Sequence, residues 1–252
     1  MMFKVENLNF YWDKKNILFT DSTFNIKKER LTTIVGRNGS GKTTLLKILC
    51  NLIKPVKGDI FLNNIKIDKY KPKELAKILS YVEQDFDKNI PLKVIDILKL
   101  GTYPYLSILY NNREIIDRID KAIELCKLKD FLQREFNKLS TGEKQKVILA
   151  KALCQSDSVI LLDEPTSFLD IKNEIEIINL LRDLVTNHKY TVVMITHNIN
   201  LSYQYSDEII TIFDKKIETH NKKDLLDPII LRKIYDVDIK KIEYKDSVIF
   251  YY

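Results

Sequence analysis

The sequence predicts an α/β fold in which helices cover both faces of a largely parallel sheet. Three short apolar runs, at 31–35, 159–162 and 191–195, predict strands that are buried on both sides. Segments with helical periodicity, at 43–52 and 174–185, lie between or beside these runs along the chain. This alternation of strands and helices is typical of a parallel sheet with crossover helices.

Two further segments complete the predicted architecture. The alternating pattern of residues 3–12 predicts an N-terminal strand, and the stretch from about 87 to 154 has the apolar spacing of helices. The alternation around Lys245-Asp246-Ser247 predicts a terminal hairpin. We expect one domain over 1–252 with three parts: a core at 1–86 and 155–252, an inserted helical subdomain at 87–154, and the hairpin at 237–252.

Composition excludes several classes of protein. No run of 18 apolar residues is present, and the N-terminus has neither a signal-peptide core nor transit-peptide character. The net charge is +6, but the basic residues are scattered and lack interleaved aromatics, so no nucleic-acid partner is expected. Cys50, Cys126 and Cys154 form no CxxC pair, which argues against a disulfide framework or a zinc site. We expect all three in the core, in a reducing compartment.

A glycine-rich loop follows the first buried strand and opens a helix. It matches the phosphate-loop pattern G-x-x-x-x-G-K-[ST]. Its backbone N–H groups and the helix N-terminus predict a site for ATP phosphates. Lys42 would reach the β- and γ-phosphates, and the hydroxyl of Thr43 would bind Mg²⁺. The residues expected to contact the nucleotide here are Gly36, Arg37, Asn38, Gly39, Ser40, Gly41, Lys42, Thr43 and Thr44.

Two acidic residues, Asp163 and Glu164, follow the second apolar strand. The carboxyl ends of parallel strands are where ligands bind in such sheets. Asp163 is therefore predicted to hold Mg²⁺, and Glu164 to polarise an attacking water. The alternative is a plain polar turn after a strand.

Further candidate residues have weaker individual signals. Ser140-Thr141-Gly142-Glu143 opens a helix as an anion site, as a capping box, or as both. His197 ends the third apolar strand, and Gln84 follows a short strand. Trp12, with Tyr11 as second choice, either stacks on adenine or packs in the core.

Taken in order along the chain, these motifs resemble the ATPase subunit of an ABC transporter. The resemblance covers about residues 3–250 and is specific because the Leu139-Ser140-Thr141-Gly142-Glu143 signature precedes Leu161-Leu162-Asp163-Glu164-Pro165. It implies a RecA-like P-loop NTPase core with a mixed sheet, an N-terminal antiparallel β part and an inserted helical subdomain. It also implies that two ATPase chains sandwich two ATP molecules head to tail.

The resemblance assigns roles to matching positions. Trp12 would stack on adenine, and His197 would clamp the γ-phosphate. Gln84 would touch Mg²⁺ and the lytic water and respond to the membrane partner. Ser140 and Gly142 would contact the γ-phosphate of the ATP molecule that is bound to the second chain. Asp170 would communicate across the interface between the two chains.

A narrower similarity is to importers of iron–siderophore, haem and cobalamin. It rests on the stretches at 73–77, 80–84, 91–94 and 100–106, the last of which contains Gly101-Thr102-Tyr103-Pro104-Tyr105 and lies where those ATPases meet the permease. It implies a permease, an indirectly linked solute-binding protein, and a peripheral position on the cytoplasmic face of the inner membrane. Tyr103 and Tyr105 could instead pack the helical subdomain. The competing functions are a soluble ABC ATPase, an ABC ATPase for another substrate such as a metal ion, and a nucleotide-binding regulator.

Three departures from the family pattern stand out. Thr141 replaces the usual glycine of the signature, and Asn198 replaces the usual aspartate after His197. The turn at 213–216 lacks its usual glycine. None of these changes removes a catalytic group, but each puts the rate or the coupling in question.

Overall fold

The computed structural model describes residues 1–106, 112–244 and 247–251 and divides into two compact units. The first unit contains Met1–Tyr70 and Thr191–Tyr252, and the second contains Lys71–Tyr190. The strands are β1 (Phe3–Tyr11), β2 (Ile17–Ile26), β3 (Leu31–Gly36), β4 (Lys57–Leu62), β5 (Ile65–Lys66), β6 (Leu79–Val82), β7 (Val159–Leu162), β8 (Thr191–Ile195), β9 (Glu208–Phe213), β10 (Lys216–His220), β11 (Lys240–Tyr244) and β12 (Ser247–Tyr251). The helices are α1 (Lys42–Leu49), α2 (Pro72–Ile78), α3 (Val94–Gly101), α4 (Asn112–Cys126), α5 (Thr141–Gln155), α6 (Ile171–Thr186), α7 (Ile199–Tyr205) and α8 (Pro228–Tyr235).

The first unit contains a mixed sheet and an antiparallel sheet. β3 pairs in parallel with β8 and β9, while β10 pairs antiparallel with β9. The N-terminal strands form the antiparallel sheet in the order β2-β1-β4-β5. These two sheets confirm the predicted mixed sheet and antiparallel N-terminal part.

The central strand β3 is buried along its whole length, as its apolar and β-branched composition predicts. The buried hydroxyl of Thr33 shares a 2.9 Å hydrogen bond with Ser206. Because β3 lies between two parallel neighbours, its carboxyl end is held on both sides. The glycine loop therefore starts from a rigid support.

The C-terminal segment packs on the end of this strand. Val35 of β3 and Ile209 of β9 form a cluster with Leu225, with Leu231, Ile234 and Ile239 in and after α8, and with Phe250 of β12. β11 and β12 pair antiparallel, while Lys245 and Asp246 of the predicted turn lie outside the described residues. The side-chain amide of Asn200 in α7 joins β12 to the unit, since it donates to the carbonyl oxygen of Phe250 at 3.1 Å and accepts from its N–H at 2.8 Å.

The second unit combines a parallel strand pair with helices. β6 and β7 pair in parallel, from Leu79 opposite Val159 to Val82 opposite Leu162. The helix α5 packs against α3 and α4, and all its residues from Val147 to Ala150 are buried. The observed helices largely follow the predicted pattern, although the boundaries of the predicted subdomain at 87–154 stay a prediction.

The three cysteines are buried, and burial raises the pKa of each thiol, that of Cys154 to about 12. None of the helices in the described ranges combines the length and apolar character needed to cross a bilayer.

Removing the amide of Asn200 should loosen the terminal strand. Asn200→Ala leaves the N–H and carbonyl of Phe250 without their side-chain partners, so we expect a loss of about 1–3 kcal/mol in the free energy of unfolding. Denaturant unfolding with hydrogen exchange at 247–251 measures this effect. Asn187→Ala is the matched control, because its amide reaches only the exposed carboxylate of Asp183, and it should change stability by less than about 0.5 kcal/mol. Equal stability of the two variants would contradict the anchoring role.

Candidate nucleotide site

The glycine loop connects β3 to α1 and takes its shape from the glycine that begins the helix. Gly41 is the N-cap of α1 with φ 98°, in the left-handed region that favours glycine. A Cβ atom at this position would lie 2.8 Å from the ring of Phe19. The sharp entry into α1 and the close approach of β2 therefore both require glycine here.

Lys42 closes the loop on itself. Its ammonium group donates to the carbonyl oxygens of Gly36 and Arg37, at 2.9 Å each, and the residue is only 6 % exposed. A buried ammonium needs such partners, because its desolvation is otherwise costly. These bonds place a positive charge inside the loop, at the N-terminal end of a helix whose dipole has the same sign there.

A cavity of about 160 Å³ lies beside the loop. Its walls are the apolar side chains of Ile17, Leu18, Ile212 and Phe213, together with Gly39, Ser40, Asp214 and Lys215. The hydroxyl oxygen of Ser40 is buried and has no hydrogen bond to any described residue. The cavity thus offers an apolar surface and an unpaired hydroxyl oxygen next to the loop.

The aromatic candidates at the end of β1 are not core residues. Trp12 is 62 % exposed and meets the ring of Phe10 edge to face, with centroids 5.1 Å apart. Tyr11 is 40 % exposed. The core-packing alternative for these two positions is therefore wrong, and a broad face of Trp12 is accessible for stacking.

His197 lies at the carboxyl end of β8 and is exposed. The next residue, Asn198, caps α7: its side-chain oxygen accepts the N–H of Leu201 at 3.1 Å. The backbone N–H of Asn198 in turn donates to the hydroxyl of Thr196. These bonds fix the backbone on both sides of His197.

In the second unit, Asp163 continues directly from β7 and is 3 % exposed. Its backbone N–H extends the parallel ladder by donating to Val82 at 2.9 Å, and the hydroxyl of Tyr81 donates to its carboxylate at 3.3 Å. A carboxylate this buried requires hydrogen-bond donors or a cation. Tyr81 is a site residue that the sequence patterns did not indicate.

Glu164 has φ 49°, a left-handed backbone that is uncommon for a glutamate. The same oxygen of its carboxylate accepts from the amide of Gln84 at 2.9 Å and from the hydroxyl of Ser167 at 2.7 Å. The strained backbone and these two donors hold the carboxylate in one orientation. The structure thus brings Gln84 and Glu164 together. Ser167 is a further partner of Glu164, and its position three residues later in the sequence is the signal that would have indicated it.

Ser140 forms the capping box that the sequence predicts. Its hydroxyl accepts the N–H of Glu143 at 3.3 Å, and its own N–H donates to the carboxylate of Glu143 at 2.7 Å. This backbone hydrogen bond is the main reason why the pKa of Glu143 lies below its ordinary value. The cap leaves the first turn of α5 exposed at Ser140 and Thr141.

Asn173 connects this helix start to the segment before α6. Asp170 caps α6 by accepting from both the backbone N–H and the side-chain amide of Asn173, at 2.8 Å each. The backbone bond holds the pKa of Asp170 below its ordinary value. A Cβ atom on Gly142 would lie 2.5 Å from the Asn173 amide. A side chain at 142 would therefore have to displace the Asn173 amide, which is bonded to Asp170.

Comparison with known proteins identifies the family. The family model described as "ABC transporter" matches residues 19–167. The chain belongs to the ABC transporter family. It is accordingly an ATP-binding subunit that hydrolyses ATP, as the sequence motifs predict.

Three known proteins illustrate the similarity. The petrobactin import ATP-binding protein FpuD of Bacillus anthracis is 32 % identical, over 89 % of this chain and 83 % of its own length. An inward-facing ABC transporter of the metal-chelate type matches with a TM-score of 0.83 and 27 % identity, over 99 % of this chain and 95 % of that one. The dimeric ABC transporter cassette MJ0796 matches with a TM-score of 0.75 and 29 % identity, over 88 % and 99 % of the two chains.

The three departures from the ABC pattern have structural accommodations. Thr141 is the first residue of α5 and has no positive φ, so its backbone makes no demand for glycine. Asn198 supplies the helix cap that an aspartate would supply. The turn between β9 and β10 is different, because Asp214 and Lys215 both adopt left-handed conformations, with φ 44° and 63°, at an energetic cost that glycine would avoid.

Tyr103 and Tyr105 have opposite environments. Tyr103 is 72 % exposed, and Leu100 and Leu106, three residues away on either side along the chain, are also exposed. Tyr105 is 2 % exposed, its hydroxyl donates to Asp157 at 3.0 Å, and the guanidinium of Arg118 lies 3.7 Å from its ring centroid. The packing alternative is therefore correct for Tyr105 and wrong for Tyr103.

The contact between Gly142 and Asn173 can be tested by a paired substitution. Gly142→Ala should lower the turnover of ATP, because the added methyl group displaces the Asn173 amide and disturbs both helix starts. Asn173→Ala removes that obstacle, so the double variant should recover much of the loss in steady-state ATPase assays. An unchanged loss in the double variant would mean that Gly142 is required for a contact outside this pair.

Proposed function

We propose that the chain is the ATPase subunit of an ABC importer that takes up an iron chelate, such as a siderophore or haem, or cobalamin. The observation that carries this proposal is the similarity over most of the chain to a protein named for petrobactin import. The likeness to a transporter of the metal-chelate type agrees with it. The exposure of Tyr103 in the Gly101–Tyr105 stretch is consistent with a contact to a permease there.

ATP would be bound first by the phosphate loop and by an aromatic face. We assign the β- and γ-phosphates to Lys42 and to the N–H groups of Gly36–Thr44. The ammonium of Lys42 is already inside the loop, held by two carbonyl oxygens that phosphate oxygens can supplement or replace. Trp12 would stack on adenine, with the cavity beside Gly39 and Ser40 close to the loop.

Mg²⁺ would be held by Thr43, Asp163 and Gln84. These side chains fit the ion, since a hydroxyl, a carboxylate and an amide provide the oxygen ligands that Mg²⁺ prefers. When bound, the ion would neutralise charge on the phosphates. The Tyr81 hydroxyl bond to Asp163 would orient this carboxylate.

Glu164 would polarise the attacking water, and His197 would contact the γ-phosphate. The hydrogen bonds from Gln84 and Ser167 to Glu164 orient the carboxylate before any substrate arrives. Such preorganisation lowers the cost of reaching the transition state. Gln84 would thereby link the carboxylate to the segment that precedes the helical region.

A second ATPase chain would complete the site. Ser140 and Gly142 would contact the γ-phosphate bound to the partner, and Asp170 would lie at the same interface. The exposed N-terminal turn of α5 carries the positive end of the helix dipole, which suits an anion brought by another molecule. The dimeric cassette MJ0796 supports this arrangement.

The membrane partner would be a permease that contacts the helical region. The exposed apolar side chains of Leu100, Tyr103 and Leu106 fit such a surface. The chain would then sit on the cytoplasmic face of the inner membrane, with a solute-binding protein acting through the permease.

Replacing Glu164 by glutamine tests the hydrolytic assignment. Glu164→Gln keeps the shape but removes the base, so turnover should fall by about 10²–10⁴ while ATP binding stays within a few-fold of wild type. Steady-state ATPase assays and calorimetry measure the two quantities. Glu124→Gln, on the exposed face of α4, is the control and should behave as wild type. Near-normal turnover in Glu164→Gln would remove Glu164 from this role.

The two tyrosines separate coupling from stability. Tyr103→Ala should reduce uptake of a ferric siderophore by the assembled transporter while ATPase activity and melting temperature stay near wild type. Tyr105→Ala should lower the free energy of unfolding by about 3–5 kcal/mol, because it empties a buried aromatic site. If Tyr103→Ala leaves siderophore uptake intact, this residue does not couple the ATPase to a permease.

A further inference from the structure

The side chain of Arg37, the second residue of the phosphate loop, forms an ion pair with the segment that follows α8. Asp236 directly follows α8, and its carboxylate lies 2.9 Å from the guanidinium of Arg37. The same guanidinium lies 5.8 Å from the ring centroid of Phe213, at the end of β9. Arg37 is therefore held between an anion and an aromatic face, both supplied by the distal part of the same unit.

The backbone of Asp236 is shaped for this contact. It has φ 60° and ψ 26° and ends α8 in a left-handed conformation, with its N–H donating to Arg232 at 2.8 Å. Glycine is the usual residue at such a helix end, and a side chain there carries a strain cost. The ion pair with Arg37 gives a reason for an aspartate at this position.

The segment that carries Asp236 is itself firmly supported. Leu231 and Ile234 of α8 are buried against Val35, two residues before Arg37, and against Ile209. Phe250 belongs to the same cluster and is bonded to Asn200 of α7. Position 236 is thus a fixed point relative to the end of β3.

We propose that Asp236 is a positioning residue for the ATP site, acting on the phosphate loop through Arg37. The carbonyl oxygen of Arg37 accepts a hydrogen bond from the Lys42 ammonium, at 2.9 Å. Holding the Arg37 side chain restricts the rotation of the peptide that presents this carbonyl. The C-terminal segment therefore sets the orientation of the group that places Lys42. The inference rests on the proposed role of Lys42 in phosphate binding.

Asp236→Asn removes the charge and retains a residue that tolerates the left-handed backbone. We expect the Kd of a non-hydrolysable ATP analogue, measured by calorimetry on the full chain, to rise roughly two- to five-fold, the range of an exposed ion pair. The matched control is Asp238→Asn, because Asp238 pairs with Arg232 in the same segment at 3.5 Å and carries the same charge. This control should leave the Kd unchanged.

A double-mutant cycle tests the route through Arg37. In an Arg37→Ala background, Asp236→Asn should have no further effect on the Kd. The difference between wild type and Asp236→Asn should also shrink when the salt is raised from 0.1 to 1 M, because the Debye length falls from about 10 to about 3 Å. The melting temperature without nucleotide should stay the same.

Several results would overturn the proposal. They are an unchanged Kd in Asp236→Asn, an equal rise in Asp238→Asn, a rise that persists in the Arg37→Ala background, or a lowered melting temperature with an unchanged Kd. Lys42→Ala separates this inference from the function itself, since it should abolish binding of the analogue. If Lys42→Ala binds normally, the phosphate-loop assignment fails, whereas loss of binding there with an unaffected Asp236→Asn removes only the role of Asp236.

Discussion

The rest of the first unit depends on burying a positive charge at the end of a central strand. Lys42 is 6 % exposed, and its ammonium is stabilised by carbonyl oxygens of the loop that leads to it. That arrangement requires a loop that curls back on its own strand, hence the left-handed Gly41 and the support of β3 by two parallel neighbours. The same curl directs backbone N–H groups to the place where phosphate binds in this family.

In the second unit, carboxylates rather than an ammonium group need hydrogen-bond partners. Asp163 and Glu164 follow a buried strand, where an unpartnered charge is costly. The hydroxyl of Tyr81 donates to Asp163, and the amide of Gln84 and the hydroxyl of Ser167 donate to Glu164. Helix caps organise the neighbouring polar residues, with Ser140 starting α5 and Asp170 starting α6. Each unit therefore presents reactive groups whose orientation is set before a ligand binds, which is the condition for efficient phosphoryl chemistry.

Local sequence patterns predict many of the site residues, but they do not indicate partners that lie far away along the chain. Sequence patterns predict the phosphate loop, the capping box and the buried strands, because each of these features is encoded within a few consecutive residues. Tyr81 was missed because a tyrosine on a short strand gives no sign of the carboxylate on the next strand. The two tyrosines at 103 and 105 could not be separated, since burial of one and exposure of the other follow from how α3 and its following turn pack on Arg118 and Asp157.

The sequence by itself determined that this protein is an ATPase of the ABC family. The phosphate loop, the signature and the acidic strand are each short motifs, and their order and spacing can be recognised from the sequence alone. Tertiary structure decided which neighbours constrain those motifs. The Asn173 amide lies where a side chain at 142 would go, and Asp236 forms an ion pair with Arg37, although neither contact can be predicted from periodicity or a motif. The physical reason is that such contacts depend on how separate elements pack, and packing brings together residues that lie far apart along the chain.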